Sequence, residues 1–357
     1  MINKAFFENA EEVASARGIT VEEVYEVFKK GLMNSFKKMY GNSSCEIIID
    51  EGHHEIKMYS LHVVVENYSE ELEEDAMAEI LLEDAKKIKA SYKVGDIVKQ
   101  EVNIKDFSRT QISAVKSVYT QGVRTKQREL AFEHFKTLEN EMVIAEVKNI
   151  NDKFITLDLG MGVVTSISLK ELLPNDHPFI GEKMNVYIRK VEMTTKDPKV
   201  SVSRTDRALV IRLMENFIPE IKSGIIEIKG IARDPGDRSK IALYSNDPKV
   251  DAIGSCVGEG GSRIRDIVNA LGGEKVDLYK WSEVPEELIS NSLQPANVTK
   301  VLSVDPKTKS SVVVVPNDHL SLAIGKSGQN VRLAVQSCGW KIDIMPVTEA
   351  YEKGLLI

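Results

Sequence analysis

One block of this chain occurs twice. Gly258, Gly261, Arg265, Val268 and Gly272 return at Gly325, Gly328, Arg332, Val335 and Gly339, each displaced by 67 residues. After a one-residue deletion, KVDL at 275–278 comes back as KIDI at 341–344. A repeat of this length is one supersecondary unit used twice. The order within each copy reads helix, glycine turn, helix, strand. The C-terminal part is therefore predicted to fold as two copies of one α/β unit, with matching loops.

The second loop, Gly325-Lys326-Ser327-Gly328, looks like the end of a nucleotide-binding P-loop. That motif needs a glycine five residues earlier, where Leu320 stands, and it follows a strand, whereas HLSLAI reads as helix. The first loop, Gly258-Glu259-Gly260-Gly261, misses GxGxxG because Arg263 takes the third glycine's place. Both nucleotide readings fail. A GxxG turn between two helices fits instead. Without a Cβ the backbone can approach a sugar-phosphate chain, and the next helix offers its N-terminal N–H groups to phosphate. A KH module clamps about four nucleotides of single-stranded RNA in this way. A single GxxG is usually just a tight turn; two in register favour the clamp. The RNA-binding candidates are Gly258, Glu259, Gly260, Gly261, Arg263 and Arg265 in the first copy. In the second they are Gly325, Lys326, Ser327, Gly328, Gln329 and Arg332.

Upstream, five short strand patterns at 143–150, 154–159, 163–168, 185–191 and 199–203 suggest a small closed barrel of the OB type. Before them, Thr20 and Glu23 form a capping box ahead of a helix with apolar residues from Val21 to Met39, which Gly41 is placed to end. Strands are expected at 45–49, 55–59, 61–66 and 97–104, and a long helix from about 110 to 138. The acidic run at 70–75 reads as solvated surface.

The formal charge of −7 divides into −6 for residues 1–135 and −1 for 136–357. A long-range basic field is therefore absent, and nucleic-acid affinity must come from local sites. Neither a secretory signal nor a membrane span is apparent, and Cys45, Cys256 and Cys338 have no metal or disulfide spacing, so a cytoplasmic protein is expected.

The stretches PEIKSGIIEIKGIARDPGDRSKIALYSNDPKVDAIGSCVGEGGSRI at 219–264 and VVVVPNDHLSLAIGKSGQNVRLA at 312–334, with SRT at 203–205 and GWKIDI at 339–344, resemble the bacterial NusA (N-utilization substance A) family. The likeness is close over the last 150 or so residues and looser before them, in pieces such as VGDIV and DFSRT. It implies a multidomain α+β chain: an N-terminal polymerase-binding domain with a long connecting helix (1–135), an S-one-type OB barrel (136–205), two tandem type II KH domains (206–280 and 281–347) and a short tail (348–357). It also implies a transcription elongation factor acting in pausing, intrinsic termination and antitermination. The implied partners are core RNA polymerase, nascent single-stranded RNA and other antitermination factors; a monomer without membrane contact, cofactor or metal is expected. Lys37, Lys38 and Arg109 are the charged candidates of the first domain for polymerase or exiting RNA. Three positions depart from the family pattern. Ser108 replaces a usual glycine, Glu259 puts a carboxylate in the first clamp, and GMGVVTSISLKELLP lacks a stacking aromatic, leaving Phe154, Phe179 and Tyr187 nearby.

Other constellations carry less. His53-His54-Glu55 is not a metal motif, no nucleophile–base arrangement stands out, and Cys256 and Cys338 read as small packing residues. Trp281 and Trp340 read as packing residues too. Arg233, Arg238 and Lys240, around the turn RDPGDRSK, either face RNA or pair with Asp234 and Asp237. The reading is a non-enzymatic RNA-binding transcription factor. The alternatives are an RNA-processing enzyme, which would need clustered carboxylates or metal ligands, and a ribosome-associated KH/OB protein.

Overall fold

The computed structural model describes residues 4–41, 44–69 and 77–356, so the acidic run lies outside the described residues. The chain divides into two compact units, Met1–His134 and Phe135–Ile357.

The first unit opens with a helix that no strong periodicity announces, α1 (Lys4–Arg17). Its inward stripe is Phe7, Ala10 and Ala14, and alanine gives little apolar contrast to detect. The capping box then forms as expected at the start of α2 (Val21–Tyr40). Thr20 Oγ1 accepts from the Glu23 amide at 3.2 Å, while the Thr20 amide donates to Glu23 Oε2 at 3.0 Å. Gly41 ends the helix at φ +78°. The sheet holds β1 (Cys45–Asp50), β2 (Glu55–Val65), β3 (Ala78–Leu81) and, beyond α3 (Leu82–Ile88), β4 (Ile97–Glu101). Strand β2 pairs antiparallel with β1 and β4 and parallel with β3. It merges the two strands expected at 55–59 and 61–66, because the intervening Ser60 is buried and its hydroxyl donates to the Gln100 carbonyl. The long helix α4 (Arg109–Thr137) starts from a second capping box. The Ser108 amide donates to Gln111 Oε1 at 2.7 Å, and the Gln111 amide to Ser108 Oγ at 3.3 Å. Ser108 thus caps the helix.

In the second unit β5 (Met142–Ile150), β6 (Phe154–Gly160), β7 (Val163–Ser168), β8 (Lys183–Glu192) and β9 (Lys199–Ser203) run β7-β6-β5-β8-β9, antiparallel throughout. The Thr165 hydroxyl donates to the Val200 carbonyl across the seam between β7 and β9, leaving a nearly closed OB-like barrel. Its interior is lined by Ala145, Val147, Ile155, Leu157, Ile167, Val186 and Ile188, the alternate residues of each strand.

Helices α5 (Arg207–Phe217) and α6 (Pro219–Lys222) lead into the repeat. The first copy is β10 (Ile226–Asp234), β11 (Arg238–Ser245), α7 (Ala252–Val257), α8 (Ser262–Ala270) and β12 (Lys275–Lys280). Helix α9 (Pro285–Ser292) follows. The second copy is β13 (Lys300–Asp305), β14 (Ser310–Val315), α10 (Leu320–Ile324), α11 (Gln329–Cys338) and β15 (Lys341–Pro346), with α12 (Val347–Glu352) after it. In each copy the first two strands pair antiparallel and the last joins the second in parallel.

Strand alternation decides what the first copy's sheet packs against. Ile241 and Leu243 join Leu213, Cys256 and Ile267 in a core that also takes in Leu173 and Tyr187 of the barrel. Between them Ala242 faces the other way. With Tyr279 it joins Val313, Ala334 and Trp340 of the second copy. The sheet therefore serves two cores, one on each face. Helix α11 lies directly on β10: a Cβ at Gly230 would stand 2.0 Å from the Ser337 carbonyl oxygen, and the Tyr279 hydroxyl donates to Ser337 Oγ at 2.9 Å.

Candidate nucleic-acid interface

The two glycine loops have one conformation. Gly258 and Gly325 sit at φ/ψ of 73/171° and 76/171°, the third loop residues Gly260 and Ser327 at 57/20° and 52/30°, and Gly261 and Gly328 at 76/21° and 75/15°. In each, the fourth residue's amide donates to the first residue's carbonyl, at 3.0 and 3.1 Å. The outer glycines are needed for different reasons. A Cβ at Gly325 would lie 2.7 Å from the Asn330 nitrogen, and one at Gly258 would lie 2.8 Å from Arg263 Cγ. Gly261 and Gly328 have open space around them but a left-handed backbone. The loops deliver the first amides of α8 and α11 outward, where an anion is favoured by the helix dipole.

The side chains around the loops divide into free and engaged. Glu259, Arg265, Lys326 and Ser327 are exposed, and Lys326 and Arg265 have no ion-pair partner among the described residues. Arg263 turns inward instead. Its guanidinium pairs with Glu220 and donates to the Ser255 carbonyl, bracing α7 against α8. Asn330, 67 residues later, does the same work by donating to the Ala323 and Leu293 carbonyls. Gln329 and Arg332 are engaged across the repeat. The Gln329 amide donates to Asp234 and Asp237, and Arg332 pairs with Asp234. The turn between β10 and β11 thus grips the helix that follows the second loop. Nothing in the local sequence signals that pairing, because the partners lie 92 to 98 residues apart.

The three basic residues around that turn do not pair with Asp234 and Asp237. Arg233 does not face solvent. It is 2% exposed and clasps Glu274, itself fully buried, which also accepts from the Gly236 amide and the Ser239 hydroxyl. Four donors satisfy that carboxylate, so the pair is a rigid brace. Arg238 pairs with Asp277 at 2.9 Å. Lys240 is 1% exposed and its ammonium donates to the Gln294 carbonyl at 2.7 Å, while burial pulls its pKa down to about 8. Trp281 and Trp340 pack in the core between the two copies, as expected.

On the barrel, Tyr187 is buried with its hydroxyl on Asn140, which removes it as a stacking platform, whereas Phe154 and Phe179 are exposed. In the first unit, Lys37 and Lys38 are exposed in the last turn of α2 and line a cavity of about 330 Å³ with Asn34, Ser35, Ala114 and Val118. Ser35 donates to the Gln111 carbonyl, two residues after the exposed Arg109. Among the described residues no group of three or more His, Cys, Asp or Glu is arranged to hold a metal ion, and no helix is long and apolar enough to cross a membrane.

Three family models match the chain: the NusA N-terminal domain over residues 5–129, the NusA-like first KH domain over 204–281 and the NusA-like second KH domain over 285–352. The chain is similar to the transcription termination/antitermination protein NusA of Halalkalibacterium halodurans, 39% identical over 99% of this chain and 91% of that one. The protein of the same name from Bacillus subtilis is 39% identical over 95% of this chain and 90% of its own. That of Thermus thermophilus is 36% identical over 96% and 89%.

Proposed function

The chain belongs to the NusA family of transcription termination/antitermination proteins, and on that premise we propose that it tethers nascent RNA to transcribing RNA polymerase. The first unit, with Lys37, Lys38 and Arg109, is assigned to core polymerase. The barrel and the two KH modules are assigned to single-stranded RNA, and the protein acts in the cytoplasm without catalysing a reaction. Modest affinity at each module suffices, because binding at one raises the effective concentration at the next. That logic suits a chain with no broad basic field. The domain limits that follow are 1–135, 136–205, 206–280 and 281–347.

The observation that carries this reading is the duplicated loop. Two separate segments, different in two of four residues, adopt the same strained backbone ahead of a helix. Ser327 holds a positive φ that costs a non-glycine residue free energy, so the shape is kept where sequence does not favour it. Changing Lys326 and Ser327 together to Asp should weaken binding of single-stranded RNA by about tenfold or more while the circular dichroism spectrum stays unchanged. The pair lies on an exposed turn, so the fold survives. A folded double variant that titrates like wild type shows that this loop is not a clamp.

A further inference from the structure

Strand β4 of the first unit is an edge. It pairs with β2 on one side and, among the described residues, with no strand on the other. The Val64 amide donates to the Asp96 carbonyl and the Val102 amide to the Met58 carbonyl, which fixes the phase of the ladder. Even-numbered residues of β4 therefore turn their N–H and C=O groups to β2, while Ile97, Lys99 and Glu101 turn theirs away. Those outward groups find no partner among the described residues. An unpaired edge of this kind is a template for a further strand.

The surroundings say what kind of strand. By alternation Val98 points to the face that α3 covers, where it packs with Val64 and Ala85, and Ile97 points to the other face. Ile97 is 49% exposed, and Val94, in the turn that leads into β4, is 51% exposed. On the α3 side, Lys86 and Lys89 end the helix and Lys93 follows it. All three are exposed and have no ion-pair partner among the described residues, whereas Lys87 and Lys99 are held by Asp84 and Glu46. They make a local cationic patch where residues 1–135 carry a net −6. Nucleic acid fits this edge less well. A sugar-phosphate chain offers mainly acceptors and would leave the outward carbonyls of β4 unmatched. The segment's aromatic ring, Tyr92, is half-buried against the same core, with Lys89 over its face at 6.0 Å, so it offers no open stacking platform. We propose that β4 receives an extended peptide of a partner protein as a further strand. Its side chains would alternate, aliphatic residues beside Ile97 and carboxylates toward the lysines of α3. The site lies in the first unit and involves neither glycine loop.

The test is an anisotropy titration of the full chain with a labelled eight-residue peptide that alternates valine and glutamate, beside one that alternates valine and lysine. The glutamate peptide should bind about tenfold more tightly or better, and the margin should shrink as salt rises. Its binding should slow hydrogen exchange at the Ile97, Lys99 and Glu101 amides, which no ladder protects in the free chain. Lys99→Pro removes an outward N–H that the ladder to β2 does not use, and proline is tolerated on the open side of an edge strand. It should bind the glutamate peptide about tenfold more weakly than Lys99→Ala, which loses the same pair with Glu46 but keeps the amide. Equal affinity for the two peptides, unchanged exchange at the three amides, or equal binding by folded Lys99→Pro and Lys99→Ala overturns the inference. The exchange reading needs no variant and decides alone if Lys99→Pro does not fold. Displacement of the peptide by an oligoadenylate makes the patch a nucleic-acid site, and a wild-type dimer that Lys99→Pro breaks assigns the edge to a second copy; either result overturns the inference too.

Discussion

Lys240 is nearly inaccessible to solvent, and burial holds its pKa at about 8 against an ordinary value of 10.5. Below about pH 8 both folded and unfolded chains hold the proton, and the folded state bears the whole cost of a buried charge. Between about 8 and 10.5 the native lysine has released its proton while the unfolded one keeps it, so this group's contribution to stability rises with pH. Lys240→Met should accordingly stabilise the fold near pH 7 by on the order of 3 kcal/mol, with the gain shrinking toward pH 10. Urea unfolding at the two pH values measures it, and a gain that does not shrink means that the charge is not the source of the cost. The nearby arginine shows why sequence adjacency does not predict such partners. Arg233 and Asp234 are adjacent in sequence, but strand alternation sends them to opposite faces, one to Glu274 and the other to Arg332. Local charge pairing along a strand is a poor guide for that reason. The shared shape of the two glycine loops, by contrast, was legible from the repeat. Glu259 and Lys326 occupy the same place in the two copies and are both exposed. Glu259→Lys should therefore tighten RNA binding by about 1 kcal/mol and steepen its dependence on salt. Titration at two salt concentrations reads both, and unchanged affinity would place the first loop away from phosphate.

At the scale of the helix–loop–helix, the glycines separate structure from function. Gly325 lies in a backbone region open essentially to glycine alone, and its missing Cβ leaves room for Asn330. Gly325→Ala should cost about 2 kcal/mol or more of stability, whatever its effect on RNA. Gly328 is left-handed with open space around it, a conformation that asparagine tolerates. Gly328→Asn should keep the melting temperature within a few degrees yet weaken RNA binding, because a side chain then stands between backbone and sugar-phosphate. Thermal melts alongside titrations separate the two effects, and full RNA affinity in a folded Gly328→Asn would show that close backbone approach is not needed there. Elements of this kind were readable because their punctuation is local: Thr20 with Glu23, Gly41, and the five barrel strands all appear within a residue or two of expectation. Helix α1 escaped because its buried stripe is mostly alanine. The capping box at Ser108 is written locally too, as S-x-x-Q over 108–111.

At the scale of the second unit, the modules named from sequence do not own separate cores. The first KH sheet shares one face with the barrel and the other with the second KH copy. Sequence could reveal the repeat but not this sharing, which depends on pairings such as Gln329 with Asp237 that no local pattern encodes. The consequence is that the two glycine loops, the proposed clamps, hold a fixed relation. RNA long enough to reach both should bind one to two orders of magnitude more tightly than either half, because the second contact is made at high effective concentration. Gly230 offers the means to test whether that advantage comes from rigidity. Its backbone is pressed against α11, with no room for a Cβ beside the Ser337 carbonyl. Gly230→Val should force α11 away from β10 while leaving each loop and its following helix intact. Each half-length strand should then bind as before, and the advantage of the long strand should fall severalfold as the clamps lose their common frame. Titration of the long strand and both halves against wild type and variant supplies the comparison. If a folded Gly230→Val keeps the whole advantage, the clamps do not act as one continuous track, and the flexible tether of two independent modules becomes the better account.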